Sequence, residues 1–151
     1  MATYTKFHQF VQDLTGKVHD LFGTAGSTAD TCKVYLSNDA PVVATDATKT
    51  DVTEITNQNG YTAPVSVANV GTRSSGTVTM QGTSLTITAS GGTVGPFQYV
   101  VLYNDTPTSP ADPLIAYWDY GSALTLQDGE SFSIKFNGAA VGAAGDIFTL
   151  A

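Results

Sequence analysis

The sequence predicts a mainly β, antiparallel sandwich with a short N-terminal helix. Three observations carry this reading. From Ala63 onward, apolar residues alternate with Thr, Ser and Gln, as half-buried strands do. Turn signals recur roughly every ten residues, at Arg73-Ser74-Ser75-Gly76, Gly91-Gly92 and Asp128-Gly129. Helical spacing occurs in one place, near the N-terminus.

That first segment carries Phe7, Phe10, Val11, Leu14, Val18, Leu21 and Phe22 at three- and four-residue intervals. The spacing predicts a helix over about 4–14, with a further turn reaching 21. Thr3 or Thr5 serves as N-cap, Gly16 weakens the middle, and Gly23 takes the C′ position. Residues 1–22 thus form a helical segment packed on, or extending from, a β domain over 23–151. Folded back, the helix completes the sandwich; extended, it docks on a partner or a sister subunit.

Residues 23–31 form a linker-like loop. A strand follows, with Cys32, Val34 and Leu36 on one face and Lys33 and Tyr35 on the other. Ser37–Tyr61 is a long stretch poor in apolar residues, bounded by turn residues and containing a short strand at Val52–Ile55. Ala63–Val70 is a strand, and Val78 to Ala89 forms a hairpin turning near Gly82. Phe97–Phe136 reads as two successive hairpins in the middle of the sandwich. Phe97–Tyr103 is apolar on both faces, marking a central strand. Pro107, Pro110 and Pro113 exclude sheet from Asn104–Pro113. Leu114–Tyr120 is the partner strand. Ser122–Leu126 and Ser131–Phe136 pair through Asp128-Gly129, with Phe132, Ile134 and Phe136 inward. Gly138–Gly145 is loose, and Ile147–Leu150 closes as an edge strand. The sum is nine or ten short strands.

Length and charge bound the function. At 151 residues the chain is one domain, long enough for a substantial core. A net charge of −7 repels a phosphate backbone and an anionic bilayer, so neither nucleic acid nor membrane is an expected partner. The single cysteine forbids an internal disulfide. The start, MATYTKFHQF, lacks a signal-peptide apolar run, and no window approaches a membrane span; a soluble protein made in a cytoplasm is the expectation.

Catalytic constellations are sparse, and no cofactor, catalytic or metal-ligating residue is assigned. His8 and His19 lie about three helical turns apart, too far to share a metal ion. A Cys32–His19 nucleophile–base pair is conceivable, but nothing nearby in sequence lowers a thiol pKa. Gly91-Gly92-Thr93-Val94-Gly95 leads into a strand, not a phosphate-binding helix. Asp105, Asp112 and Asp119 flank the proline loop and could meet around calcium, although loop aspartates more often close turns. Asp119 and Glu130 could be a glycosidase pair, as any two distant carboxylates could. In Tyr117-Trp118-Asp119-Tyr120, alternation puts Trp118 and Tyr120 on one face. The plain reading packs Trp118 in the core beside Tyr99 and Tyr103; the functional one exposes an aromatic platform for sugar or a protein interface.

Most of the chain resembles a known family. The residues that carry the likeness are Gly91–Tyr99, Val101–Thr106, Asp112-Pro113-Leu114-Ile115, Trp118-Asp119-Tyr120-Gly121 and Leu126–Phe132. The N-terminal helix, Leu36–Pro41, Asp51–Ile55 and Asn59-Gly60-Tyr61 add to it. These resemble the capsid decoration, or cement, proteins of tailed bacteriophages. The resemblance implies a jelly-roll-like sandwich without enzymatic activity. It further implies binding to the outer capsid surface, where the protein bridges major capsid protein subunits, itself a dimer or trimer. The expected location is the virion. Interface residues expected from this are Phe7, Phe10, Val11 and Leu14 on the helix and Asn104, Asp105, Pro107 and Pro110 in the loop. The competing expectation is a tail-associated or receptor-binding virion protein whose sandwich binds carbohydrate.

Overall fold

The computed structural model describes residues 2–22 and 29–151, so Gly23 as a helix cap and most of the 23–31 loop lie outside the described residues. The chain is mainly β, with antiparallel strand pairs and one short α-helix among the described residues. Thr3–Lys6 (β1) precedes the helix His8–Thr15 (α1). Then come Cys32–Ser37 (β2), Val65–Val67 (β3), Asn69–Ser74 (β4), Thr77–Thr83 (β5), Leu85–Thr88 (β6), Val94–Asn104 (β7), Leu114–Leu126 (β8), Ser131–Ile134 (β9) and Ala144–Leu150 (β10).

Five strands form the main sheet in the order β1-β8-β7-β2-β3. A three-stranded sheet, β10-β5-β4, and a two-stranded one, β6-β9, pack on one of its faces. Ring contacts join the main sheet to this second layer, Phe97 to Phe132 at 5.1 Å and Trp118 to Phe136 at 5.5 Å between centroids, and α1 packs on it through Phe10 and Phe148 at 5.4 Å. The result is sandwich-like, with one continuous apolar core.

The helix begins later than its apolar spacing suggests. Thr3-Tyr4-Thr5-Lys6 is extended and pairs with β8, Tyr4 opposite Trp118. β-branched and aromatic residues alternate there, which suits a pleated edge better than a first helical turn. Phe7 is the N-cap and makes no side-chain cap bond, so neither Thr3 nor Thr5 has that role. The further turn toward 21 does not form as helix; Lys17 turns the chain with φ 62°.

Strand pairing departs from the expected hairpins at two places. Asp128-Gly129 does make a turn, with Glu130 N–H donating to Gln127 O at 2.9 Å. Yet it joins β8 in the main sheet to β9, which pairs with β6. Similarly, Gly82 lies inside β5 rather than at a turn, and β6 leaves for the other pair after Ser84. A Cβ on Gly82 would stand 2.8 Å from both Ile147 Cδ1 and Val67 Cγ1, so close layer packing, not turn geometry, demands glycine there. The segment Ala63–Val70 splits likewise: β3 adds to β2, and after Ala68 the chain enters the second layer as β4. Leu114–Leu126 is one strand, interrupted in conformation at Gly121, φ 93°. β10 begins at Ala144, so part of the stretch expected to be loose is strand.

The long stretch after β2 is a cover for the second face of the main sheet. It contains a short 3-10 turn, Lys49–Asp51, and an isolated bridge from Glu54 to Ser37, where a strand over Val52–Ile55 was expected. Val52 and Tyr61 face inward and are buried, whereas Val42 is exposed. Tyr35 Oη donates to Val52 O at 3.1 Å, and Tyr61 Oη accepts from Leu36 N–H at 2.8 Å. Lys49 lies 5.4 Å from the Tyr35 ring centroid and 5.8 Å from that of Tyr103, and is paired with Glu54 at 2.7 Å. Tyr35 is therefore buried, although it points away from Cys32, Val34 and Leu36 as the alternation requires.

Candidate binding groove

An open groove of about 700 Å³ runs where β1, β8, β9 and β10 converge. Its wall is aromatic: Tyr4, Trp118, Tyr120, Phe132, Phe136 and Phe148 all line it. Each arrives by simple strand geometry. Tyr4 stands opposite Trp118 across the β1–β8 pair, their rings edge to face at 5.7 Å. Two residues on, Tyr120 emerges from the same face, 54% exposed, its ring 6.0 Å from that of Phe132. Phe136 closes the floor against Trp118.

Polar groups rim the groove. Asp146 accepts from Gln81 Nε2 at 2.7 Å and from Asn137 Nδ2 at 3.4 Å, which fixes its carboxylate. Ser133, Lys135 and Thr149 complete the rim. Burial pushes the Tyr4 hydroxyl up to about 12, so it stays protonated and able to donate at neutral pH. Volume, apolar wall and sparse oriented polar atoms are the ordinary makings of a binding site.

Trp118 is half-buried and does not pack beside Tyr99 and Tyr103. Register explains why. Trp118 pairs with Val100, so Tyr99 and Tyr103 stand on the opposite face of β7. There Tyr99 meets Tyr117 and Tyr103 meets Tyr35.

The residues named for an interface are dispersed. Phe7 and Phe10 are buried, Phe7 against Tyr117 and Phe10 against His19 and Phe148, so neither ring offers free surface. Leu14 is partly buried, and Val11 is 45% exposed. In the loop, Asn104 is wholly buried; Asp105 bonds Lys33 at 2.6 Å and Tyr103 Oη at 3.0 Å. Pro107 is partly covered and Pro110 exposed. None of these eight lines the groove.

The chemical candidates are not assembled either. Asp119 accepts from Gln98 Nε2 and Gly121 N–H, Asp105 is held by Lys33, and no three acidic, His or Cys residues among those described lie together as a metal site. Glu130 closes its own turn onto Gln127 N–H. Cys32 is buried, and desolvation, followed by the charge of Asp30, pushes its thiol up to about 12, which leaves no thiolate to attack. His19 bonds Asn104 instead.

The Trp118–Tyr120 face was visible in the sequence. Tyr4, Phe148 and Asp146 were not: Tyr4 sat in a stretch read as helix, and Phe148 and Asp146 reach the groove only through the β10–β5 pairing. The alternation Thr3-Tyr4-Thr5 was the available signal for the first. Comparison with family models, with curated proteins and with solved structures finds no match for this chain.

Proposed function

We propose that the protein is a non-enzymatic virion component that binds the outer surface of a phage capsid and bridges major capsid protein subunits. The observation that carries a binding role is the aromatic groove around Trp118 and Tyr120, since exposed aromatic side chains anchor protein interfaces. The choice of partner comes from the resemblance of Gly91–Phe132 to decoration proteins. In this reading the sandwich is of jelly-roll type, the protein acts as a dimer or trimer, and many copies on a lattice turn modest single contacts into firm attachment. A net charge of −7 and a Thr-rich surface keep a crowded particle exterior soluble.

The test is add-back to capsids that lack this chain. Tyr120→Ala should weaken binding at least tenfold, while Val141→Ala, exposed away from the groove lining, leaves it unchanged. Equal binding by both variants and the wild type removes the groove from the interface.

A second reading has its own support. The oriented Asp146 carboxylate and Asn137 amide beside a wall of aromatic rings form the kind of site that holds a sugar ring, as in a receptor-binding virion protein. It predicts a shift of Trp118 fluorescence on titration with host-surface oligosaccharide. No shift at millimolar sugar discards it.

A further inference from the structure

Behind α1 lies a buried polar cluster that the groove does not use. Asp13, His19, Asp30 and Asn104 are each less than a tenth exposed. They come from α1, from the segment after it, from the approach to β2 and from the end of β7. Asn104 is the hub. Its Oδ1 accepts from Thr106 N–H at 3.1 Å, and its Nδ2 donates to Asp30 Oδ2 at 2.7 Å. These two contacts fix which end of the amide is which. The remaining Nδ2 hydrogen points at His19 Nδ1, 3.0 Å away. An amide nitrogen has no lone pair to give, so His19 Nδ1 must be the acceptor, and the neutral ring carries its proton on Nε2.

This geometry accepts the neutral imidazole and rejects the imidazolium. A second proton would sit on Nδ1, directly against the Asn104 NH₂, donor facing donor. Turning the amide to receive it would sacrifice both the Thr106 and the Asp30 bonds. The ring lies on Phe10 of α1 at 5.2 Å; Asp13 of α1 and Asp30 before β2 supply negative charge; Cys32 of β2 stands opposite Asn104 across the strand pair. Asp20 is tied to Asp30 through its backbone N–H at 2.7 Å. Burial lowers the His19 pKa, and the fields of Asp13 and then Asp30 oppose it without reversing it. His19 Nε2 is buried with no hydrogen-bond partner among the described residues, so the docked ring gains nothing there to offset a charge.

We propose that His19 and Asn104 form an acid-sensitive latch: protonation of His19 breaks its bond to Asn104 and undocks residues 8–22 from the end of β7. The sign follows from linkage. The docked form takes up the proton less readily than the undocked form, so docking is complete above the ordinary histidine range and weakens as pH falls below about 6.5. With the undocked ring titrating near 6.5 and the docked ring resisting, the opening equilibrium rises by up to about tenfold between pH 7.5 and 5.5. That window lies above ordinary carboxylate titration. The latch is independent of what the protein binds.

The experiment is amide hydrogen exchange on the full chain at both pH values, corrected for intrinsic rates. Amides of α1 should lose severalfold, up to about tenfold, in protection at pH 5.5, while those in the centre of β7 and β8 hold. His19→Gln keeps an acceptor toward Asn104 and cannot take a proton, so its α1 protection should not change with pH. Undiminished α1 protection in the wild type, or an equal loss in His19→Gln, overturns the proposal. Should that variant fail to fold, NMR titration of His19 in the wild type decides: a midpoint below 6.5 upholds the latch and one at or above 6.5 overturns it.

Discussion

Asn104 shows how much can rest on one amide. It satisfies His19, Asp30 and Thr106 at once, from positions up to 85 residues away. Asn104→Ala orphans the buried His19 Nδ1 and takes one bond from Asp30 Oδ2, which keeps the one from Asp20 N–H; an orphaned buried group costs about 1–3 kcal/mol, so urea denaturation should report a destabilisation of about 2 kcal/mol. Cys32 makes the opposite point, since its chemistry is quenched by where it sits. With its thiol pushed up to about 12 and buried, it should resist maleimide labelling at pH 8 in native protein and react on unfolding. Labelling at the rate of a free thiol would contradict the burial. The sequence placed Asn104 at the start of the proline loop, and the resemblance placed it at an interface. Its bond from Thr106 N–H closes a local turn, but His19 and Asp30 lie 85 and 74 residues away, and no local pattern announces them.

Among the elements, the strands were legible and so was the β7–β8 hairpin, but several other pairings were not. Alternation in Cys32–Leu36 and Phe97–Tyr103 located β2 and the centre of β7, and the proline loop ended β7 where expected. Alternation states which residues share a face; it does not state which strand lies alongside. Asp128-Gly129 therefore gave a real turn and a wrong pairing, because β9 buries Phe132 and Ile134 in the second layer. Gly82 was misread for a related reason: a glycine demanded by close packing looks the same in sequence as one demanded by a turn. Gly82→Ala should cost about 1–3 kcal/mol by overpacking against Ile147 and Val67, measured by thermal or urea unfolding. A neutral effect would mean that the layers are looser than described. The cover over Tyr35 has its own weak point. Backbone N–H groups of Ala47 and Thr48 donate to Asp51 at 2.9 and 2.8 Å, which lowers the pKa of that carboxyl. A lowered carboxyl pKa stabilises the fold above its unfolded value, and that contribution is lost as pH falls through the folded one. Asp51→Ala should destabilise by about 1 kcal/mol at pH 7 and by progressively less toward pH 3.

At the scale of the molecule, two apolar layers and a pinned cover leave one aromatic groove open, at the edge where the first strand of the chain joins the sheet. Half of that groove was readable as Trp118 and Tyr120 on a common face. The other half depends on β1 and β10, whose places follow from long-range pairing. A binding surface of this kind on a disulfide-free, sparsely charged sandwich accords with the proposed life on a capsid exterior, where repetition supplies strength. The most direct test of that claim is the copy number of this chain against the major capsid protein in purified particles, by quantitative mass spectrometry. Lattice-wide decoration predicts a ratio near or above about one to three. A handful of copies per particle, or none, would contradict it.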